Sequence, residues 1–265
     1  MQKLSIITVN YNNLGGLKKT FESIQSQTFH DFEWIVIDGG SSDGSKEFII
    51  QNKGDISYWI SEPDNGIYNA MNKGLAKATG DYCQFLNSGD YYINKDVLQN
   101  VFAIQTLSDV NYGDQWCINE AEEIVERRSY PDHMSLPFLF QTPLGHQASF
   151  IKTEVVKKHP YKEQYKISAD RALFLELYCA GHSFYHISLP IVYFDTEGIG
   201  SNKKTYQERK KQFYLIKREF FSDQVVKDIE MLLRLKDNFA FVERVKALKW
   251  LYNLMRKLQS YKNNK

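Results

Sequence analysis

The sequence predicts an α/β protein built on an open, mostly parallel sheet flanked by helices, with a C-terminal helical extension. Three observations predict it. Short apolar runs alternate with stretches whose apolar residues recur at helical spacing over residues 4–86. Each of those runs ends in a polar, turn-prone loop, several of them glycine-rich. A hydrophobic content of 43% over 265 residues is enough for one large domain, or one domain with an appendage.

The elements follow in order. Residues 4–9, L-S-I-I-T-V, are β-branched and apolar and predict a buried strand that ends at N-Y-N-N. Leu17, Phe21 and Ile24 share one helical face over 17–27. Residues 33–37, E-W-I-V-I, predict a second strand, closed by D-G-G-S-S-D-G-S, and Ser45 to Ile50 restart a helix. Residues 56–60 predict a third strand, 67–79 a helix, and 82–86 a fourth strand ending at N-S-G-D. Beyond it, 96–107 reads as helix, 109–130 as strands, and 131–145 as an aromatic loop bearing Pro131, Pro137 and Pro143. Residues 147–152 predict a strand and 168–180 a helix; 189–194 are apolar and lead into D-T-E-G-I-G-S. From 203 onward the chain reads as helical and basic.

Several classes are excluded. No apolar run approaches the ~18 residues of a membrane span. The N-terminal M-Q-K-L-S-I-I-T-V-N-Y-N lacks the apolar run of a signal peptide. Three scattered cysteines, Cys83, Cys117 and Cys179, make neither a disulfide framework nor a Cys-rich zinc site, so a reduced cytoplasmic setting is expected.

The formal net charge of +1 conceals an asymmetry. Residues 203–265 carry 17 basic and 7 acidic residues, a local charge of +10, against −9 for residues 1–202. Two domains are expected on this division: a ligand-binding domain over 1–202 and a basic amphipathic extension over 203–265. Within the extension, Phe241, Val245, Leu248, Tyr252 and Met255 recur at helical spacing over 239–258, opposite Arg244, Lys246, Lys249, Arg256 and Lys257. Such a helix suits an anionic membrane leaflet, and equally a protein partner, a second copy included. No nucleic-acid-binding motif accompanies the charge.

In open α/β sheets, ligands bind outside the C-terminal ends of the strands. Tyr11, Asp38, Asp64 and Asp90 all follow predicted strands there. Asp38 can accept hydrogen bonds from a base or sugar, and an ordinary turn with Asp43 or Ser45 capping the next helix is the alternative. Asp90 is a hard oxygen donor suited to Mg²⁺ or Mn²⁺, or part of a plain Ser-Gly-Asp turn. Glu62 and Asp64 lie in S-E-P-D-N-G, which also reads as a simple turn. Asp170 begins a predicted helix, where a carboxylate also stabilises the helix dipole. His146 follows Gly145 in the Pro-bearing loop and also reads as a structural hydrogen-bonding residue.

The series of motifs resembles the family 2 glycosyltransferases with the GT-A, or nucleotide-diphospho-sugar transferase, fold. The resemblance covers roughly residues 3–200. It is carried by S-I-I-T-V-N-Y-N at 5–12, F-E-W-I-V-I-D-G-G-S-S-D-G-S at 32–45, S-E-P-D-N-G-I-Y-N-A-M-N-K-G at 61–74 and A-T-G-D-Y-C-Q-F-L-N-S-G-D at 78–90, with G-H-Q-A-S-F at 145–150 and S-A-D at 168–170. The wording of these motifs is most similar to a colanic acid fucosyltransferase-like branch of surface polysaccharide biosynthesis.

The resemblance implies a donor-nucleotide site made by Thr8, Asn10, Tyr11, Asp38, Asp64, Lys73 and Asn87, with Tyr11 stacking on the base. It implies Asp90 as the ligand of a divalent cation, Mn²⁺ or Mg²⁺, and Asp170 as the catalytic base of an inverting transfer. His146 falls on the acceptor side or behind it. The donor would be a nucleoside diphosphate sugar, and the acceptor a hydroxyl of a glycan or lipid-linked glycan. A cytoplasmic enzyme peripheral to the inner face of the plasma membrane is then expected.

The sequence departs from the common pattern in three places. Gly39 stands where a second Asp is usual, Asn87 and Gly89 replace two acids of the metal motif, and Met71 stands where an Arg often serves the diphosphate, leaving Lys73 as a substitute. The loop over 194–201, F-D-T-E-G-I-G-S, reads either as a plain connection or as a segment that closes over the donor through Gly198 and Gly200. Two other classes compete: a nucleotidyltransferase, which would carry basic residues in the first loop where N-Y-N-N-L-G-G stands, and a non-catalytic sugar-nucleotide or glycan-binding protein.

Overall fold

The structure is a computed structural model that describes residues 3–196 and 205–244, and only the backbone for 237–244. The chain divides into two compact units, Met1–Ile216 and Lys217–Lys265.

The first unit is built on one sheet. Its parallel half contains β1 (Leu4–Asn10), β2 (Phe32–Asp38), β3 (Tyr58–Ser61) and β4 (Tyr82–Phe85), hydrogen-bonded in the order β3-β2-β1-β4. β1 pairs in parallel with β2 and β4, and β2 in parallel with β3, so the strands end on one side. Crossover helices α1 (Leu14–Gln25), α2 (Ser45–Gln51) and α3 (Ile67–Lys77) connect them. All seven residues of β1 are buried, as expected of a parallel strand covered on both faces. Leu4, Ile6, Trp34 and Val36 pack with Leu17, Ile24 and Ile49 in the core.

The other half of the sheet is mixed. β8 (Ser149–Lys152) pairs antiparallel with β4, and β6 (Val110–Ile118) antiparallel with β8. β9 (Phe184–Asp195) runs parallel to β6, while β5 (Tyr91–Tyr92) pairs antiparallel with β9 and β7 (Ile124–Arg128) antiparallel with β6. The helices here are α4 (Val97–Phe102), α5 (Leu136–Gln141), α6 (Thr153–Lys158) and α7 (Ala169–Cys179).

Several boundaries differ from expectation for local reasons. α1 starts at Leu14 because Asn13 caps it, its Oδ1 accepting from Gly16 N–H at 3.0 Å; the Gly-Gly pair lies in the first turn. The expected loop 131–145 contains α5, whose start is marked by Ser135 with Pro137 in the first turn, where a missing N–H costs nothing. β5 is only two residues long and left no periodic signal in the sequence.

α8 (Tyr206–Phe220) extends into the second unit, which then continues as α9 (Asp223–Arg244). Within that unit, Lys217 pairs with Glu230 at 3.0 Å and Arg218 with Asp223. Val225, Met231, Leu232 and Leu235 are exposed on α9. The amphipathic helix expected over 239–258 lies outside the described residues beyond Arg244, and the loop 194–201 beyond Thr196. Among the described residues, no helix is long and apolar enough to cross a membrane.

Candidate active site

The first loop beyond the sheet is fixed by Asp38, the last residue of β2. It is fully buried, and its carboxylate accepts four hydrogen bonds: from Asn10 Nδ2 (2.8 Å), Ser41 N–H (3.0 Å), Ser41 Oγ (2.5 Å) and Ser61 Oγ (2.7 Å). Burial pushes this carboxyl up, but the bonds from Ser41, Ser61 and Asn10 outweigh it and leave it below its ordinary range. Asp43 accepts from Ser45 N–H and Oγ at the start of α2, but the N-cap position is Gly44 and carries no side-chain cap, so the capping expected of Asp43 or Ser45 is not formed. Tyr11 extends outward beside this loop, its side chain among the most exposed large hydrophobic groups at 67%.

Gly39 lets these pieces meet. A Cβ there would lie 2.7 Å from Asp64 Oδ2 and 3.1 Å from a Tyr11 ring carbon. A larger residue at this position would have to displace the carboxylate of Asp64, which reaches over from the turn after β3 and stands beside Gly39. Asp64 Oδ1 also accepts from Gly66 N–H at the start of α3.

Asn10 joins the nucleotide-side loop to the loop after β4, because its Oδ1 accepts from Ser88 Oγ at 2.8 Å. In that second loop Gly89 has φ +104°, a conformation that favours glycine. Asp90 is nearly fully buried, and burial together with the neighbouring charge of Asp195 pushes its carboxyl well above its ordinary value. The Asp195 backbone N–H donates to Asp90 Oδ1 at 3.1 Å, and a Cβ at Gly89 would lie 3.1 Å from Asp195 Oδ2. Asp195 reaches this position because β5, directly after Asp90, pairs with the end of β9.

Two adjacent carboxylates, one of them buried and raised in pKa, form a hard-oxygen donor set that a divalent cation fits and whose mutual repulsion it would relieve. Among the described residues, no three His, Cys, Asp or Glu side chains are grouped around a metal position. Asp90 and Asp195 are the side chains that would face such a cation.

The opposite wall is formed by α7 and the turn before β8. Asp170 lies in the first turn of α7, with 20% of its side chain exposed. Its Oδ1 accepts from Arg171 N–H at 2.9 Å and from Tyr68 Oη at 3.3 Å. Its Oδ2 lies 3.8 Å from His146 Nδ1. Burial raises this carboxyl, but His146 and the Arg171 guanidinium outweigh it and hold it below its ordinary value, in the ionised form. His146 Nε2 lies 3.2 Å from Asn87 Nδ2, and Asn87 is the chain neighbour of Ser88, whose hydroxyl donates to Asn10, itself bonded to Asp38.

The expected residues thus divide. Asn10, Tyr11, Asp38, Asp64, Asn87 and Asp90 lie at or just beyond the C-terminal ends of the parallel strands, and His146 and Asp170 approach Asn87 from the turn before β8 and the start of α7. Thr8 is fully buried in β1, where its hydroxyl accepts from Trp34 Nε1 at 2.9 Å. Lys73 is engaged with Glu62 at 2.7 Å, and Met71 is fully buried in the core. Sequence reasoning missed Asp195, Tyr68, Ser41 and Ser61. Tyr68 stood in the S-E-P-D-N-G-I-Y motif, and Asp195 opened D-T-E-G-I-G-S, but nothing in the sequence paired either with its carboxylate.

The model of the glycosyl transferase family 2 matches residues 5–151. An uncharacterised glycosyltransferase of Mycobacterium tuberculosis is 34% identical over 209 residues, covering 76% of this chain and 78% of the relative. A PGL/p-HBAD biosynthesis glycosyltransferase of Mycobacterium bovis is 32% identical over 178 residues, covering 63% of this chain and 66% of the relative. Among solved structures, residues 1–349 of Staphylococcus aureus TarS in complex with UDP-GlcNAc align with a TM-score of 0.66 at 18% identity, over 92% of this chain and 76% of that one. A mannosyltransferase from Pyrobaculum calidifontis, in complex with GDP-Man and Mn²⁺, aligns with a TM-score of 0.61 at 15% identity, over 98% of this chain and 81% of that one. The fold is that of the GT-A glycosyltransferases.

Proposed function

The chain belongs to the glycosyl transferase family 2 and is a glycosyltransferase, and on that premise we propose that it transfers a sugar, with inversion, from a nucleoside diphosphate sugar to a glycan or lipid-linked glycan hydroxyl. The observation that carries the reading is the placement of the Asp170 carboxylate, 3.8 Å from His146, which approaches Asn87 in the same loop as Ser88, the residue that bonds Asn10 beside Asp38. Tyr11 offers an exposed ring for the base, and the Asp38 loop with Asp64 holds the nucleoside. Asp170 takes the proton of the acceptor hydroxyl as that oxygen attacks the anomeric carbon. The bond to the diphosphate breaks in the same displacement, so no covalent enzyme intermediate is needed. A divalent cation held at Asp90 and Asp195 would offset the charge of the departing diphosphate.

Membership of this family favours sugar transfer over nucleotidyl transfer or glycan binding alone. The relatives that act in PGL/p-HBAD biosynthesis support a cell-surface glycolipid or polysaccharide as the product class, and the colanic acid fucosyltransferase-like wording of the motifs belongs to the same reading. Residues 1–202 carry the chemistry in this proposal. Residues 203–265 are a basic address, to an anionic leaflet or to a partner, and hold the enzyme near its acceptor. A thermal-shift screen of UDP, GDP and other nucleoside diphosphates, with and without Mn²⁺, followed by hydrolysis and transfer assays with the matching sugar donors, tests the reading. No stabilisation by any nucleoside diphosphate would refute it.

A further inference from the structure

We propose that Asn87 sets the tautomer of His146 and, through it, orients the carboxylate of Asp170. The inference rests on reading Asp170 as the base. His146 is buried at 7% exposure, with one ring nitrogen turned to each neighbour: Nε2 is 3.2 Å from Asn87 Nδ2 and Nδ1 is 3.8 Å from Asp170 Oδ2. An ionised carboxylate only accepts hydrogen bonds, so the nitrogen facing Asp170 is the one that gains from carrying the proton. In a neutral ring, Nε2 is then an acceptor and needs a donor opposite it. The amide of Asn87 supplies one. A carboxylate at position 87 would set its oxygens against the Nε2 lone pair.

This accounts for the departure of residue 87 from the acidic residue common in this motif. It also accounts for two atoms that have no hydrogen-bond partner although they are buried, Asn87 Oδ1 and His146 Nδ1. Asn87 Oδ1 is the acceptor left over once Nδ2 faces the histidine. With Nδ2 donating to Nε2, the proton is kept on Nδ1. Nδ1–H then has only to close the 3.8 Å gap to bond Asp170 Oδ2. Tyr68 Oη and Arg171 N–H already hold Oδ1 from the other side, so closing the gap fixes the rotation of the carboxylate. His146 is thus a positioning residue, acting through Asp170.

The test is the histidine tautomer itself. The full-length chain, labelled with ¹⁵N-histidine, is examined at mildly alkaline pH by long-range ¹H–¹⁵N correlation, with His146→Gln assigning the signal. The wild type is expected to show the Nδ1–H tautomer. Asn87→Asp is expected to move the proton to Nε2 or to give the doubly protonated ring, and Asn87→Ala to give a mixture of tautomers. An Nε2–H tautomer in the wild type would overturn the proposal whether or not the variants fold, and so would an unchanged signal in both variants. If Asp170→Asn kept full transfer activity, the base reading would fail while the tautomer result stood.

Discussion

Asp64 Oδ2 lies 2.7 Å from the point where a Cβ on Gly39 would stand. The Asp64 carboxylate reaches this position from the turn after β3. Gly39→Ala must displace Asp64 and crowd the Tyr11 ring. The expected result is nucleotide affinity lower by about 10-fold, equivalent to about 1.4 kcal/mol, with little loss of stability. Calorimetric titration with the nucleoside diphosphate found by screening checks it, and unchanged affinity would refute the packing argument.

Asp38 is a stability residue as well as a site residue. Asp38→Asn exchanges one accepting oxygen for a donor among groups that already donate, and is expected to cost roughly 2–3 kcal/mol in chemical denaturation. Its folded pKa lies below the ordinary 3.8. The stabilisation from its ionised form is therefore fully present above that value and is lost as pH falls through the folded pKa. The acid limb of the stability–pH curve should flatten in the variant.

Asp90 is a buried carboxylate beside another carboxylate, an arrangement that costs stability when no cation is present. In chelator at neutral pH, Asp90→Asn is expected to melt above the wild type. With Mn²⁺ added, the wild type should gain and the variant should not, and Asp195→Asn should gain less than the wild type. Equal Mn²⁺ shifts in all three proteins would remove both residues from the cation site.

Asp170→Asn should lower turnover by about 10²–10⁴-fold, the usual worth of a general base, while nucleotide binding is retained. Tyr68→Phe removes one hydroxyl that bonds Asp170 Oδ1 and should reduce kcat more than it changes KM for the donor. Steady-state kinetics separate the two, and near-full activity of the Asn variant would show the base to lie elsewhere.

Liposome flotation bears on the basic extension. Each basic residue near an anionic surface contributes about 1 kcal/mol, so removal of residues 239–265 should abolish binding to anionic vesicles and leave binding to zwitterionic vesicles unchanged. Persistence of anionic binding in the truncated chain would assign the charge another purpose.

The sequence by itself determined the alternation of strand and helix, the polar strand ends with Tyr11, Asp38, Asp64 and Asp90 as their distinctive occupants, and Asp170 at a later helix start. Those features are local: apolar periodicity and turn chemistry act over a few neighbouring residues. Tertiary structure alone decided which side chains are already spoken for and which acids meet. Thr8 was indistinguishable from a ligand-facing threonine until Trp34, 26 residues away, donated to it. That Lys73 pairs with Glu62, 11 residues away, was likewise not written in the sequence. Asp195 joins Asp90 across 105 residues, and Tyr68 joins Asp170 across 102, because strand pairing and helix packing bring those segments together. Contacts of that range depend on the order of strands in the sheet, and no periodicity along the chain encodes it.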